Sequence, residues 1–406
     1  MDPYLISLRP AELSVCTAAA SFLQTDFWGG FKARFGWTAL AFTAEWLTGT
    51  APAGGLPPAG SPLQSGGGTT VLPLLVLHRR LGPALSFAYV PWGPELPAGY
   101  DAAGNTAAAR LAAVLRGLLP GDTAFIRFDF PWYCETRPAP APESVPPPVS
   151  SAGRAAGEGS PPGKPFRRAA ANVQPPDSVL VNLAPGEPAI LGAMKSKWRY
   201  NVGLAEKRGV QVRIAGSPLP ARQELEAFYG MYRETAARDG IAIHGIGYYE
   251  ALFEEAAKYG RLPPGCRPDT RLYIASHEGE DIAGIVTLFR GREAVYLYGA
   301  SANRKRNLMA PYALQWRAMR DAKAAGCVYY DLFGIPPEDP DINPHHPMAG
   351  LYRFKTGFIG GGEGGVIIHR PGSWDYPCRF LAWALYSAAE RARKKIRDMR
   401  KKKPRT

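Results

Sequence analysis

The sequence is poor in the residues that build metal and redox centres. Its five cysteines, Cys16, Cys134, Cys266, Cys327 and Cys378, are scattered without a CxxC pair, and there are six histidines in all. That spacing indicates neither a zinc site nor a disulfide framework. Cys327 opens an apolar strand pattern and reads as a small buried hydrophobe. His345 and His346 are adjacent, so their side chains diverge, and the prolines around them mark a loop; no metal is expected. No Ser/His/Asp or Cys/His nucleophile set is apparent. No apolar run is long enough to span a bilayer, and no charged-then-apolar leader opens the chain, so a cytoplasmic location is expected. Acidic residues are also in deficit, 35 against 48 Lys and Arg, for a formal net charge of +13. Such a charge fits plain solubility or attraction to a phosphate-bearing partner, RNA or an anionic membrane face, and charge alone does not separate these.

What is present is enough for two domains of ordinary size. Two segments rich in Gly, Pro, Ala and Ser, near 48–68 and 134–171, bury too little apolar surface to order themselves and are expected to be disordered inserts. The first should fall between two strands, Trp37–Trp46 and Thr70–Leu77. The expected division is 1–175, 176–366, and a C-terminal segment 367–406 returning to the first domain. Helices are expected over 11–37, Ala107–Leu119, Pro188–Arg208, Pro220–Asp239 and Trp374–Lys403. Strands are expected over Thr123–Pro131 and Val179–Leu183, with a meander over Leu272–Ser276, Ile282–Arg290 and Ala294–Gly299.

The most informative stretch runs from Tyr296 to Phe358. VYLYGA reads as a strand, Pro311 to Ala325 as an amphipathic helix stopped by Gly326, and CVYYDLFGI as a second strand. Strand–helix–strand of this length predicts a right-handed crossover in a largely parallel sheet. The same crossover occurs in the acetyltransferase (GNAT) fold, which the chain resembles. There the turn into the helix is glycine-rich and cradles the CoA pyrophosphate. Here it reads Asn303-Arg304-Lys305-Arg306-Asn307-Leu308-Met309, without glycine, and Leu308 and Met309 are expected to crowd a diphosphate. The expectation is an acyltransferase scaffold that takes no CoA and needs no other cofactor.

Seven aromatic-rich motifs make the resemblance specific. SFLQTDFWGGFKARFGW, FAYVPWGP, FIRFDFPW, MKSKWRYNVGLAEKRGV, RNLMAPYALQW, YYDLFGI and GLYRFKTGF resemble, in order, the Fem-type (FemABX) non-ribosomal peptidyltransferases. That resemblance implies an α/β (α+β) fold of two tandem acetyltransferase-like domains, with a C-terminal helix returning to the first. It also implies an aminoacyltransferase with aminoacyl-tRNA as co-substrate. The acceptor would be the side-chain amine of a peptidoglycan stem peptide, on lipid II or UDP-MurNAc-pentapeptide. Peripheral contact with the inner membrane face and a monomeric state complete the expectation.

Site residues follow from the resemblance position by position. Lys355 matches the lysine aimed at the developing oxyanion, and Phe354 its packing partner. Lys32 matches a lysine on the acceptor's phosphates, and Asp129 an acceptor-binding aspartate; a solvated lysine and an ion pair between Asp129 and Arg127 are the alternatives. His244 and Tyr248 stand where some members hold the diphosphate with arginine and tyrosine. An imidazole is a poorer clamp than a guanidinium, which shifts weight toward a lipid-linked acceptor. Tyr296 and Tyr298 share a strand face by period two and match a tyrosine pair bordering the acceptor channel, with aromatic core packing as the alternative.

Basic surfaces at Lys195, Lys197, Arg199 and Arg306, and at Lys394 and Lys395 in the C-terminal helix, are candidates for tRNA phosphates or an anionic leaflet, or are simply solvated. Two other readings remain open: a CoA-dependent N-acyltransferase, and a non-catalytic membrane- or RNA-binding protein on the same scaffold.

Overall fold

A computed structural model describes residues 4–48, 68–97, 104–136, 163–216, 219–336, 348–360 and 362–402. The chain divides into two units. One holds the described residues up to Cys134, those from 163 to Pro176, and those from Arg370 on; the other is built on Asp177–His369.

The first unit begins with β1 (Tyr4–Ala11), α1 (Asp26–Ala33), and the antiparallel run β2 (Thr38–Thr48), β3 (Gly68–Gly82) and β4 (Leu85–Val90). Then α2 (Gly104–Leu118) crosses over to β5 (Thr123–Asp129), which lies parallel to β4. Two later strands, β7 (Arg167–Arg168) and β15 (Ser373–Pro377), complete a seven-stranded sheet in the order β1-β2-β3-β4-β5-β15-β7. Leu111, Ala112 and Leu115 of α2 are fully buried against Leu74, Val76 and Ile126 of the sheet. The last element, α9 (Phe380–Lys402), packs on β5.

The second unit repeats the plan. After β8 (Asp177–Asn182), α3 (Glu187–Ala193), α4 (Ser196–Lys207), β9 (Gln211–Ile214), α5 (Arg222–Asp239) and α6 (Ile246–Ala257) comes the meander β10 (Asp269–His277), β11 (Glu280–Arg290), β12 (Glu293–Ser301). Then α7 (Ala310–Ala324) crosses to β13 (Tyr329–Asp331), parallel to β12. With α8 (Ala349–Thr356), β14 (Gly365–His369) and the short β6 (Cys134–Thr136), the sheet reads β6-β14-β8-β13-β12-β11-β10-β9. A meander, one helical crossover and one parallel pair in each unit make this a tandem acetyltransferase-like fold.

Several expectations are corrected. The second sheet is not largely parallel: tight turns at Gly279 and Gly291 join β10, β11 and β12 as antiparallel neighbours, and β8 is antiparallel to both β13 and β14. Residues 11–37 form two 3-10 turns before the short α1, with Thr25 capping the helix through the N–H of Trp28. The helix expected over 188–208 breaks at the buried Met194, where the N–H of Lys195 donates to the carbonyl of Gly357 at 2.9 Å. The helix expected from Trp374 starts at Phe380, because 373–377 is claimed by β5 as a strand.

Of the two inserts, 49–67 and 137–162 lie outside the described residues. Thr48, the last residue of β2, pairs with Gly68, the first of β3. The stretch from 163 to 171 is ordered rather than disordered: Phe166 is buried beside Phe128 and Phe130, and β7 pairs with β15. His345 and His346 also lie outside the described residues.

Candidate functional site

In the second unit, β12 and β13 pair only over Glu293–Val295 and Tyr329–Asp331. Beyond that, β12 continues to Ser301, while the chain after Asp331 stays with β8 through Leu332 N–H to Val179 and Ile335 N–H to Asp177. The two parallel strands therefore part at their C-terminal ends, where open α/β sheets bind ligands.

Lys355 is buried at that parting, only 5% exposed. Its ammonium donates to the carbonyls of Phe333 and of Gly334, the latter at 2.8 Å. Both acceptors exist because Phe333 and Gly334 take left-handed backbone, φ 53° and 32°. That is costly for a phenylalanine and is held by Asp331, which accepts the N–H of Phe333 at 2.7 Å in an Asx-type turn and the hydroxyl of Ser178. Burial pulls the Lys355 pKa down to about 7, with the Asp331 charge opposing. Two of the three ammonium protons are thus directed within the protein. Asp331, Phe333 and Gly334 are neighbours of Lys355 that the sequence reading quoted only inside a motif; the Asp-x-Phe-Gly turn was the available signal.

Tyr296, the first residue of β12 past the pairing, places its ring under the ammonium at 5.4 Å. The register of β11 and β12 slips at this point, Val286 facing Tyr298 and Thr287 facing Tyr296, so Leu297 is an extra residue. This bulge breaks the plain alternation that the sequence reading used to put both tyrosines on one face. Tyr296 packs with the core under α7, and Tyr298 packs on Tyr249 (5.1 Å, edge-on) and Tyr232. Gly299 makes room for the Tyr296 hydroxyl, which a β-carbon there would meet at 1.7 Å. Burial raises the phenol pKa values of Tyr296 and Tyr298, with Tyr232 and Tyr248 the next contributors respectively.

His244 and Tyr248 meet at the start of α6, rings stacked at 3.8 Å; the imidazole is exposed and the phenol ring continues into Tyr249. Phe354 packs edge-on to Tyr312 and Phe358, each at 5.2 Å, and its carbonyl accepts the indole N–H of Trp198. Trp198 lies against Gly357, which has no room for a β-carbon. The structure thus joins Lys355 to Tyr296, and Tyr298 to Tyr248 and His244.

The first unit holds the other two candidates. Lys32 lies over Trp28 at 5.4 Å, and burial, then Arg79, pull its pKa down to about 8. Asp129 is buried and accepts from Tyr89, Ser373 and the N–H of Gln174; burial raises its pKa. Arg127 binds Asp375 and Glu390 instead, so the alternative reading of Asp129, an ion pair with Arg127, does not hold. Lys195, Lys197 and Arg306 are exposed; Arg199 caps the last carbonyls of α3, and Lys394 reaches the carbonyl of Ala170. Lys395 is exposed on α9.

At the turn before α7, Leu308 is buried in the core and does not crowd the opening, contrary to the sequence reading. The turn is occupied by the protein's own anions. Glu234 accepts the N–H of Asn303 at 3.0 Å, and Arg304 and Lys305 are paired with Glu280. The N–H groups of Leu308 and Met309 are spent on the carbonyls of Lys305 and Arg306.

The crystal structure of FemX superposes with a TM-score of 0.64 over 94% of this chain and all of that one, at 16% identity. Among curated proteins, the chain is 23% identical over 277 residues to the lipid II:glycine glycyltransferase of Staphylococcus epidermidis, and 22% over 282 to that of Staphylococcus aureus. Each alignment covers 55% of this chain, and the chain spans 63% of these relatives' length. The sequence pattern of the FemAB family matches residues 164–259 and 270–391, more than half of the chain, and takes in both Lys355 and the turn that holds it. This chain belongs to the FemAB family.

Proposed function

We propose that the protein is an aminoacyltransferase that moves an amino acid from aminoacyl-tRNA to the side-chain amine of a peptidoglycan stem peptide. The observation that carries this reading is the Lys355 ammonium, desolvated and aimed by two carbonyls at the parting of β12 and β13. The ester is already activated, so the enzyme must add proximity and a positive group at the developing oxyanion. The neutral amine attacks the acyl carbon, the third Lys355 proton meets the oxyanion, and collapse breaks the ester C–O bond. The amide C–N bond replaces it, and the proton lost by the amine leaves on the ribose oxygen. No covalent enzyme intermediate is required.

The acceptor, lipid II or UDP-MurNAc-pentapeptide, carries a diphosphate. Lys32 with Arg79 beside it supplies two like charges that an anion would relieve. The tyrosines at 248, 296 and 298 and His244 are the acceptor residues of the second unit, and Asp129 is the acceptor residue assigned in the first. Exposed Lys195, Lys197 and Arg306 offer spaced charge to the tRNA backbone, and the protein meets the membrane peripherally where the acceptor is lipid-linked. A CoA-dependent reaction is disfavoured, because at the turn before α7 the N–H groups of Asn303, Leu308 and Met309 that would cradle a pyrophosphate are already bound to Glu234 and to the carbonyls of Lys305 and Arg306. Incubation with charged tRNAs and each muropeptide, read by mass spectrometry, tests the reading. A mass gain of one aminoacyl residue supports it; gain with acetyl-CoA instead overturns it.

A further inference from the structure

Helix α9 has two faces, and only one is used inside the protein. Trp383 donates its indole N–H to Asp375 at 3.1 Å, Tyr386 packs on Phe125 at 5.0 Å, and Glu390 binds Arg127 at 2.9 Å. These three side chains hold the helix to β5. At 3.6 residues per turn, Leu381, Leu385, Ala388, Ala392, Ile396 and Met399 fall within roughly 80° on the opposite side. All six are exposed, Leu381 by 79%, Leu385 by 75%, Ile396 by 48% and Met399 by 53%. Phe380, 60% exposed, also escapes burial. The stripe runs about 27 Å along the helix.

Cations border it. Arg391 and Lys395 flank one edge and Arg393 the other, and between 391 and 405 the sequence has ten Lys and Arg against one acidic residue, Asp398. We propose that this outer face of α9 is an interfacial docking surface for an anionic lipid bilayer, the apolar stripe entering the headgroup boundary with the basic flanks on lipid phosphates. An apolar stripe between cations on a helix too polar to cross a membrane is the pattern of an in-plane helix. RNA would use the cations but gain nothing from Leu381 and Leu385. A second copy of the helix would bring like charges edge to edge. The proposal deepens the peripheral membrane contact named above by assigning it to one element. It rests on α9 and not on the transfer chemistry.

The test is cosedimentation of the full chain with vesicles of phosphatidylglycerol and phosphatidylcholine, or of phosphatidylcholine alone. The wild type should bind the anionic vesicles preferentially. The double variant Leu381→Ser/Leu385→Ser, with every charge kept, should bind at least roughly tenfold more weakly, while its melting temperature, tRNA binding and transfer to a nucleotide-linked acceptor stay at wild-type levels. Arg391→Gln/Lys395→Gln should weaken anionic binding and flatten its salt dependence. The proposal is overturned by a wild type that ignores anionic vesicles, or by a serine variant that binds them undiminished. It is equally overturned if the serine variant loses tRNA binding in parallel, or if light scattering shows a wild-type dimer that the variant dissociates. None of these results touches the transfer reading, which keeps its own assay.

Discussion

Replacing Lys355 by methionine tests the burial of its charge apart from catalysis. Burial lowers this lysine from 10.5 to about 7 in the folded protein. Between those values the unfolded chain binds a proton that the folded chain does not, so wild-type stability rises with pH across that window. Below about 7 both states are charged and the full penalty applies; above 10.5 it is gone. At 1.36 kcal/mol per unit, the depression corresponds to about 4 kcal/mol at pH 7. Methionine removes the titration, but it also strands the carbonyls of Phe333 and Gly334, at about 1–3 kcal/mol each. That loss does not vary with pH. The absolute difference between the two proteins mixes both effects, whereas its pH dependence reports the lysine alone. Urea unfolding of both from neutral pH to pH 10 should show the advantage of methionine over wild type shrinking by about 3–4 kcal/mol. A flat difference would mean that the folded protein solvates the ammonium as water does, and the reasoning about the site would fail.

The remaining predictions concern the site and the buried ion network of the first unit. Because the oxyanion needs a protonated Lys355, kcat should fall as pH rises through about 7; a pH-rate profile flat to pH 9 would contradict this. Gly299→Ala puts a methyl into the Tyr296 hydroxyl, so it should cost about 1–3 kcal/mol by urea unfolding and lower turnover as the ring leaves Lys355; wild-type behaviour in both would show that Tyr296 is not fixed there. Arg127→Met strands the fully buried Asp375 and should cost about 3–5 kcal/mol, with Asp375→Asn in the same chain restoring part of it; a loss under 1 kcal/mol in the unfolding curve would refute a buried network.

The crossover that builds the site was legible because its signals are local. Pro311 lies in the first turn of α7, and Gly326 takes φ 90° just past its end. What sequence reasoning missed is decided by contacts between distant residues. The break between α3 and α4 depends on Gly357, more than 150 positions away, accepting from Lys195. Trp374 to Tyr376 became a strand because β5 had an open edge, and Leu381 and Leu385 stay exposed because Trp383 and Tyr386 take the packed side. The lysine was found by motif alone. Its clamp, the two consecutive left-handed residues Phe333 and Gly334, leaves no periodic trace, and the Asp-x-Phe-Gly turn is its one local signal.

The central claim is that one desolvated cation stabilises the acyl-transfer oxyanion. It is tested most directly by single-turnover transfer from charged tRNA to muropeptide, with acceptor affinity measured separately, for the wild type and Lys355→Met. The account predicts a Met variant that binds acceptor as the wild type does and transfers at least about a hundredfold more slowly. Transfer at the wild-type rate would contradict it.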